Sequence, residues 1–370
     1  MARTVVRLFL AGDVMTGRGI DQILPTPSQA WIFESYVHDA RAYVRLAEQR
    51  NGPIPRHVAF DYVWGTALGA VARLAPAARI VNLETSVTVA EDAWPAKGIN
   101  YRMHPKNIGV LTAAGIDVCV VANNHVIDWG FAGLDETLAT LRAAGIRTAG
   151  AGANADEAAA PAIVGLEEGG HVLVYGCGSQ TSGIPSAWAA GSRAPGVNLV
   201  DELSLGTARA IGTRIARQKA AGDLAVVSVH WGSNWGYSIP SEQRAFAHAL
   251  VDSGAVDIVQ GHSSHHAKGI EVYRGKPMIY GCGDFVNDYE GISGYEEYRG
   301  DLSLAYFPMF DAETGELIEL RIVPMQMKRF SLHDASPADV EWLKARLTRE
   351  GERFGTKIEA GAGNELYVRW

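Results

Sequence analysis

The chain alternates short, unbroken apolar runs with polar or glycine-rich loops and amphipathic stretches. The runs are Val5–Ala11, Ala78–Leu83, Val118–Ala122, His171–Gly176, Leu224–Val229, Val256–Gln260 and Met278–Gly281. Continuous rather than alternating apolarity marks strands covered on both faces. Helical spacing falls between the runs, at Asp135–Ala144, Leu205–Ala220 and Glu242–Ser253. Strand and helix in repeated succession predict an α/β fold.

Two regions break this rhythm. Residues 24–65 form a long insertion after the first strand, with a predicted helix over Tyr36–Gln49 and a turn at Asn51-Gly52-Pro53-Ile54-Pro55. Such insertions often build the rim of a cleft. Further on, Asp301–Phe310 and Leu317–Met325 flank a polar turn and predict a β-hairpin. Ser336-Pro337-Ala338-Asp339 then opens a helix, with a capping serine and proline at the first helical position.

Of 370 residues, 47% are apolar and 20% charged, the balance of an ordinary folded protein. The formal charge of -8 argues against nucleic acid, whose recognition needs a basic face. It leaves small anionic substrates open, because bound metal ions can supply local positive charge. Three cysteines in apolar runs, Cys119, Cys177 and Cys282, form no disulfide framework and suit a reducing compartment. Arg7 interrupts the first apolar run, Asp13 follows it and no small-residue cleavage site is evident, so no signal peptide is expected. No run approaches the roughly 18 apolar residues of a membrane span. The expectation is a cytoplasmic protein.

The chemistry-bearing residues sit at the ends of the predicted strands. Asp13 follows the first run, Glu84 the second, and Asn123-Asn124-His125 the third. His230 follows Leu224–Val229, His262 and His265 follow Val256–Gly261, and Asp284 follows Met278–Gly283. Ligands in open α/β sheets collect beyond the carboxyl ends of strands. Singly, each has a plain structural reading: Asp13 as a turn residue, Glu84 as solvated, the histidine pair as a surface loop. Together they make an inventory of oxygen and imidazole donors without thiolates, which favours manganese, iron or zinc. His38, His57, His104, His171, His248 and His333 lack this setting and read as solvated or hydrogen-bonded; His266, beside the pair, is ambiguous. Arg18, in Gly17-Arg18-Gly19, could pair with an anionic substrate, or lie on the surface. Trp231 could wall a cleft or pack in the core. Asp284 could orient a histidine ligand or cap a turn.

Gly12-Asp13-Val14-Met15, Asn82-Leu83-Glu84, Ala122-Asn123-Asn124-His125 with Asp128 and Gly130, and Gly261-His262…His265 resemble the CapA-type poly-γ-glutamate synthesis proteins over about residues 4–290. Those proteins in turn resemble the calcineurin-like metallophosphoesterases. The resemblance implies a four-layer αββα sandwich, two mixed sheets flanked by helices, holding one or two divalent metal ions. It implies one domain over residues 1–330, with insertion 24–65 at the cleft rim, and a C-terminal helix and tail over 331–370 packed on it. Asp13 and His265 would bind a first metal; Asn124, His230 and His262 a second; Glu84 would bridge. His125 would stand beside the substrate as general acid or hydrogen-bond donor, with Asn123, Arg18, Trp231 and Asp284 as lesser candidates for substrate contact. Met15 stands where metallophosphoesterases usually carry a histidine, and Glu84 where they carry an aspartate.

The function implied is metal-dependent hydrolysis of a phosphoester, or of a γ-glutamyl-type amide or ester. The alternative is a non-catalytic component of a polymer-synthesis complex that binds metal or polyglutamate. No nucleic-acid partner and no membrane span are expected, and the oligomeric state is not legible.

Overall fold

A computed structural model describes residues 4–167 and 169–370. The first sheet begins with four parallel strands: β1 (Val5–Val14), β2 (Ala78–Leu83), β3 (Val118–Val120) and β4 (Arg147–Ala149). The second sheet has a parallel centre of β5 (His171–Ser179), β6 (Leu224–His230) and β7 (Ile258–His262). An antiparallel pair, β8 (Ile270–Tyr273) and β9 (Lys276–Ile279), completes one edge, β9 running parallel to β7. The chain then returns to the first sheet. Short β10 (Asp284–Val286) lies parallel to β1, and β11 (Leu302–Asp311) runs antiparallel to β1 and to β12 (Leu317–Lys328). The tail adds two further antiparallel strands, β13 (Lys357–Ala360) and β14 (Leu366–Arg369), at that edge.

Side-chain alternation builds the layers. In β1, Val6, Leu8 and Leu10 join a core between the two sheets, with Ile80, Val118, Val174, Val226 and Ile258. Phe9 and Ala11, on the other face of β1, pack under helices α2 (Ala67–Leu74) and α3 (Gly130–Ala143). The outer face of the second sheet, through Val227, Val229 and Val259, is covered by α4 (Leu205–Gln218) and α5 (Ser241–Asp252). The order is helix, sheet, sheet, helix, the expected sandwich with both sheets mixed. Each fully buried Leu, Ile or Val in these layers contributes about 1.5–3 kcal/mol. Helix α6 (Pro337–Gly351) packs Val340, Leu343 and Leu347 against the inter-sheet core. Its Ser336 hydroxyl accepts the Asp339 amide, as the sequence predicts.

The insertion departs from expectation. Its helix spans Arg41–Asn51, not Tyr36–Gln49, because the Asp39 carboxylate accepts the Arg41 amide at 2.9 Å and starts the helix there. No helix among the described residues is long and apolar enough to cross a membrane.

Candidate metal centre

The two sheets bring their carboxyl ends together at one rim. Asp13 ends β1, where strand register sets it beside Asn82 of β2 on one side and Asp284 of β10 on the other. On the second sheet, His230 and His262 are register partners at the ends of β6 and β7. Close packing at Gly12 permits this: a Cβ there would stand 2.0 Å from the Gly283 carbonyl oxygen.

The donors are buried and close. Asp13, His230 and His262 are each 0% exposed, and their ligand atoms lie within 4.8 Å of one another; Asp13, His265 and Asp284 form a second such group. His230 Nδ1 is 2.8 Å from His262 Nδ1, and His230 Nε2 is 2.8 Å from Asn124 Oδ1. Glu84 Oε1 lies 3.8 Å from His230 Nε2 and 3.9 Å from His125 Nε2. Asn82 ties the carboxylates together, donating to Asp13 at 2.7 Å and to Glu84 at 3.3 Å. Ser263 holds a left-handed backbone, φ 101°, and its amide donates to Asp13. Such a conformation costs a non-glycine residue about 1–3 kcal/mol, and its place beside His262 is where strain of this kind collects.

Electrostatics point to a cation. Burial, then the Asp284 carboxylate, pushes the pKa of Asp13 up to about 7. Burial and Asp13 hold Glu84 well above the usual carboxylate range. Burial lowers His262 to about 3, and burial with His262 nearby holds His230 well below the imidazole range. Neutral imidazoles and crowded carboxylates are the donors a divalent ion requires, and the ion offsets the repulsion among the acids. The donor set therefore fits a metal ion of the kind expected.

His125 is set apart from these donors. Its Nδ1 lies 2.7 Å from Asp128 Oδ2 and 3.0 Å from Lys97 Nζ, while Lys97 and Asp128 pair at 2.5 Å. Burial lowers its pKa to about 4; Asp128 opposes this and Lys97 adds to it. Tyr101 packs edge-on to the ring, 4.6 Å between centroids. His265 donates or accepts at both nitrogens, Nδ1 to Asp284 at 2.9 Å and Nε2 to Asn234 at 3.0 Å. Burial is the largest influence and disfavours its charged form, but the charge and hydrogen bond of Asp284 together with the charge of Asp13 raise its pKa.

The four lesser candidates for substrate contact are each held by partners within the protein. Arg18 does not face the centre as a free cation: it is 3% exposed, clamped by Asp288 at 2.6 and 2.8 Å and by Glu34 at 2.8 Å. Trp231 is core, 2% exposed, its indole donating to the Tyr280 carbonyl and its ring packed on Phe246. Asn123 is wholly buried, its amide bonded to Asn82 and the Leu83 carbonyl, and its oxygen to the His125 amide. Asp284 does more than orient His265, because its carboxylate belongs to a possible ligand group itself. Met15 is buried, with Tyr289 Oη 3.7 Å from its sulfur. Lys97, Asn234 and Tyr289, all against the site's histidines, carry no local signal: each stands in an irregular polar stretch that reads as solvated.

The profile of the bacterial capsule synthesis protein family (PGA_cap) matches residues 7–289. A probable polyglutamine synthesis accessory protein of Mycobacterium tuberculosis is 44% identical over 98% of this chain and 96% of its own. The PGA biosynthesis protein CapA of Bacillus subtilis is 28% identical over 96% of this chain and 81% of its own. A solved phosphatase structure from Mycoplasma pneumoniae aligns with 92% of this chain and 97% of its own, at 11% identity and a TM-score of 0.47. The family match spans the parallel strands of both sheets and every strand end that carries a donor, and the chain belongs to the bacterial capsule synthesis protein family.

Proposed function

We propose that the chain is a hydrolase holding one or two divalent ions, manganese, iron or zinc, and acting on a phosphoester or on a γ-glutamyl-type amide or ester. The observation that supports this is His125, an imidazole at the rim that the metal donors do not need. Asp13, His265 and Asp284 would hold one ion, so that Met15 is not required as a ligand. Asn124, His230 and His262 would hold the other, with Asp13 and Glu84 between them. A bound ion of this kind lowers the pKa of its water and supplies hydroxide near neutral pH.

The protein's own groups account for the rest. Asp128 can only accept, so at 2.7 Å its carboxylate takes the Nδ1 proton of His125, and Nε2, facing the centre, is the atom that gains and holds a further proton. From there it can be given to a leaving oxygen or nitrogen. A cavity of about 530 Å³ adjoins His265, walled by Trp235 and Tyr289, whose rings lie 5.3 and 5.0 Å from the imidazole. Arg50, Arg299 and Lys328 line it together with Glu290, Glu296 and Asp301, so the charge that would answer an anionic substrate comes chiefly from the bound ions. Three unpaired, buried thiols, Cys119, Cys177 and Cys282, support a cytoplasmic setting.

The relatives named as accessory proteins favour a second reading, a non-catalytic component that binds metal or polyglutamate. The two separate in one experiment. Metal-loaded protein is assayed on bis(p-nitrophenyl) phosphate and on γ-glutamyl-p-nitroanilide, alongside His125→Ala. The hydrolase reading expects turnover of one substrate, falling roughly 100-fold in the variant while elemental analysis finds its metal unchanged. No turnover by fully loaded protein leaves the binding reading standing.

A further inference from the structure

A cavity of about 860 Å³, larger than the one beside His265, lies against the insertion and shares no residue with the metal centre. Tyr101 and Arg102 separate the two: the Tyr101 ring lies against His125, and Arg102 lines the cavity. Adjacent residues of an extended segment point to opposite faces. The lining includes Arg41, Arg45, Arg56 and Arg102 with His57 and His104, against one carboxylate, Glu91. This concentration stands out in a chain of net charge -8.

The charges are not all answered from within the protein. Arg41 pairs with Asp39 at 2.6 Å, and Arg56 with Glu48 at 3.0 Å. Arg45 acts on those two acids only at longer range and makes no ion pair among the described residues. Arg102 is the built element. It is 7% exposed, held by the carbonyls of Ala90 at 2.7 Å and Gln29 at 3.3 Å, and its guanidinium sits 3.9 Å from the Trp129 ring centroid. No carboxylate among the described residues lies within ion-pair distance; Asp21 and Glu91 act from further off, and burial lowers its pKa. A buried guanidinium without a counter-charge is costly unless an anion completes it. Here it is pre-set, because carbonyls and a ring fix its plane before any ligand arrives.

We propose that this cavity is a second binding site, independent of the metal centre, for a compact anion carrying two or more phosphoryl or carboxylate groups. Planar guanidinium forks converging on one space match those groups two oxygens at a time. The volume is that of a small-molecule site.

Calorimetric titration of the full chain tests this, with pyrophosphate in one arm and tri-γ-glutamate in the other. One-to-one binding is expected in at least one arm, and the arm that responds names the ligand as phosphoryl or polycarboxylate. Arg45→Ala alters an exposed side chain; it keeps the native circular dichroism and weakens binding about tenfold. Asn124→Ala, at the metal centre, binds as the parent does. Both arms silent up to millimolar ligand, undiminished binding in Arg45→Ala, or loss of binding in Asn124→Ala each overturns the proposal.

Discussion

Asp128 shows how much one buried side chain settles at this centre. Its carboxylate takes the Tyr101 amide at 2.7 Å, faces His125 Nδ1 and neutralises Lys97. Asp128→Asn keeps the shape but leaves Lys97 without its counter-charge and frees the His125 ring to change tautomer. On the hydrolase reading, kcat falls roughly 100-fold with KM and metal content little changed, measured by steady-state kinetics and elemental analysis. At this scale the sequence was legible where a residue's position follows from its strand end, as for Asp13, His230 and His262. It was not legible where the role depends on distant partners. Arg18, flanked by glycines beside Asp13, reads as a free cation; Glu34 and Asp288, which claim it, stand 16 and 270 positions away. Trp231 follows a metal-site histidine, yet the strand's alternation turns it inward.

Among the elements, the strands were read closely because unbroken apolar runs have one stable use, a sheet covered on both faces. Their ends shift by a few residues, as with β7, which runs on to His262. The insertion was read less well. Its helix start is set by a single side-chain bond at Asp39, and its anchoring by a buried ion cluster that no periodicity announces. Glu34, 0% exposed, reaches from the insertion to Arg18, whose guanidinium lies 3.6 Å from the Tyr43 ring centroid on the insertion's helix. Glu34→Ala leaves Arg18 paired with Asp288 alone and deprives the buried Tyr43 hydroxyl of its acceptor, so it costs about 1–3 kcal/mol. The urea midpoint drops accordingly, and limited proteolysis cuts first within residues 24–65.

For the whole molecule, the fold class followed from the order of elements, but the meeting of two sheets at one rim is a tertiary fact. It leaves a signature in how stability depends on pH. Above about pH 7.5 an unfolded chain has released nearly all its histidine and carboxylate protons. The metal-free fold still holds protons on Asp13, raised to about 7, and on Glu84, raised further. The folded state then binds more protons than the unfolded, so stability falls as pH rises. Melting of the metal-free protein should therefore drop from about pH 7.5 to about pH 8.5, where Glu84 still holds its proton, and saturating manganese or zinc should remove most of that drop. An unchanged melting temperature over this range, without metal, counts against crowded acids at the centre.

The neighbours of Asp13 carry a last consequence. One flank comes from Asn82, near the start of the chain, and the other from Asp284, three-quarters of the way along it. A ribosome releases the first of these long before the second. The pocket around Asp13 thus cannot exist on a nascent chain until translation has passed Asp284, and on the proposed reading any metal would be loaded late in synthesis.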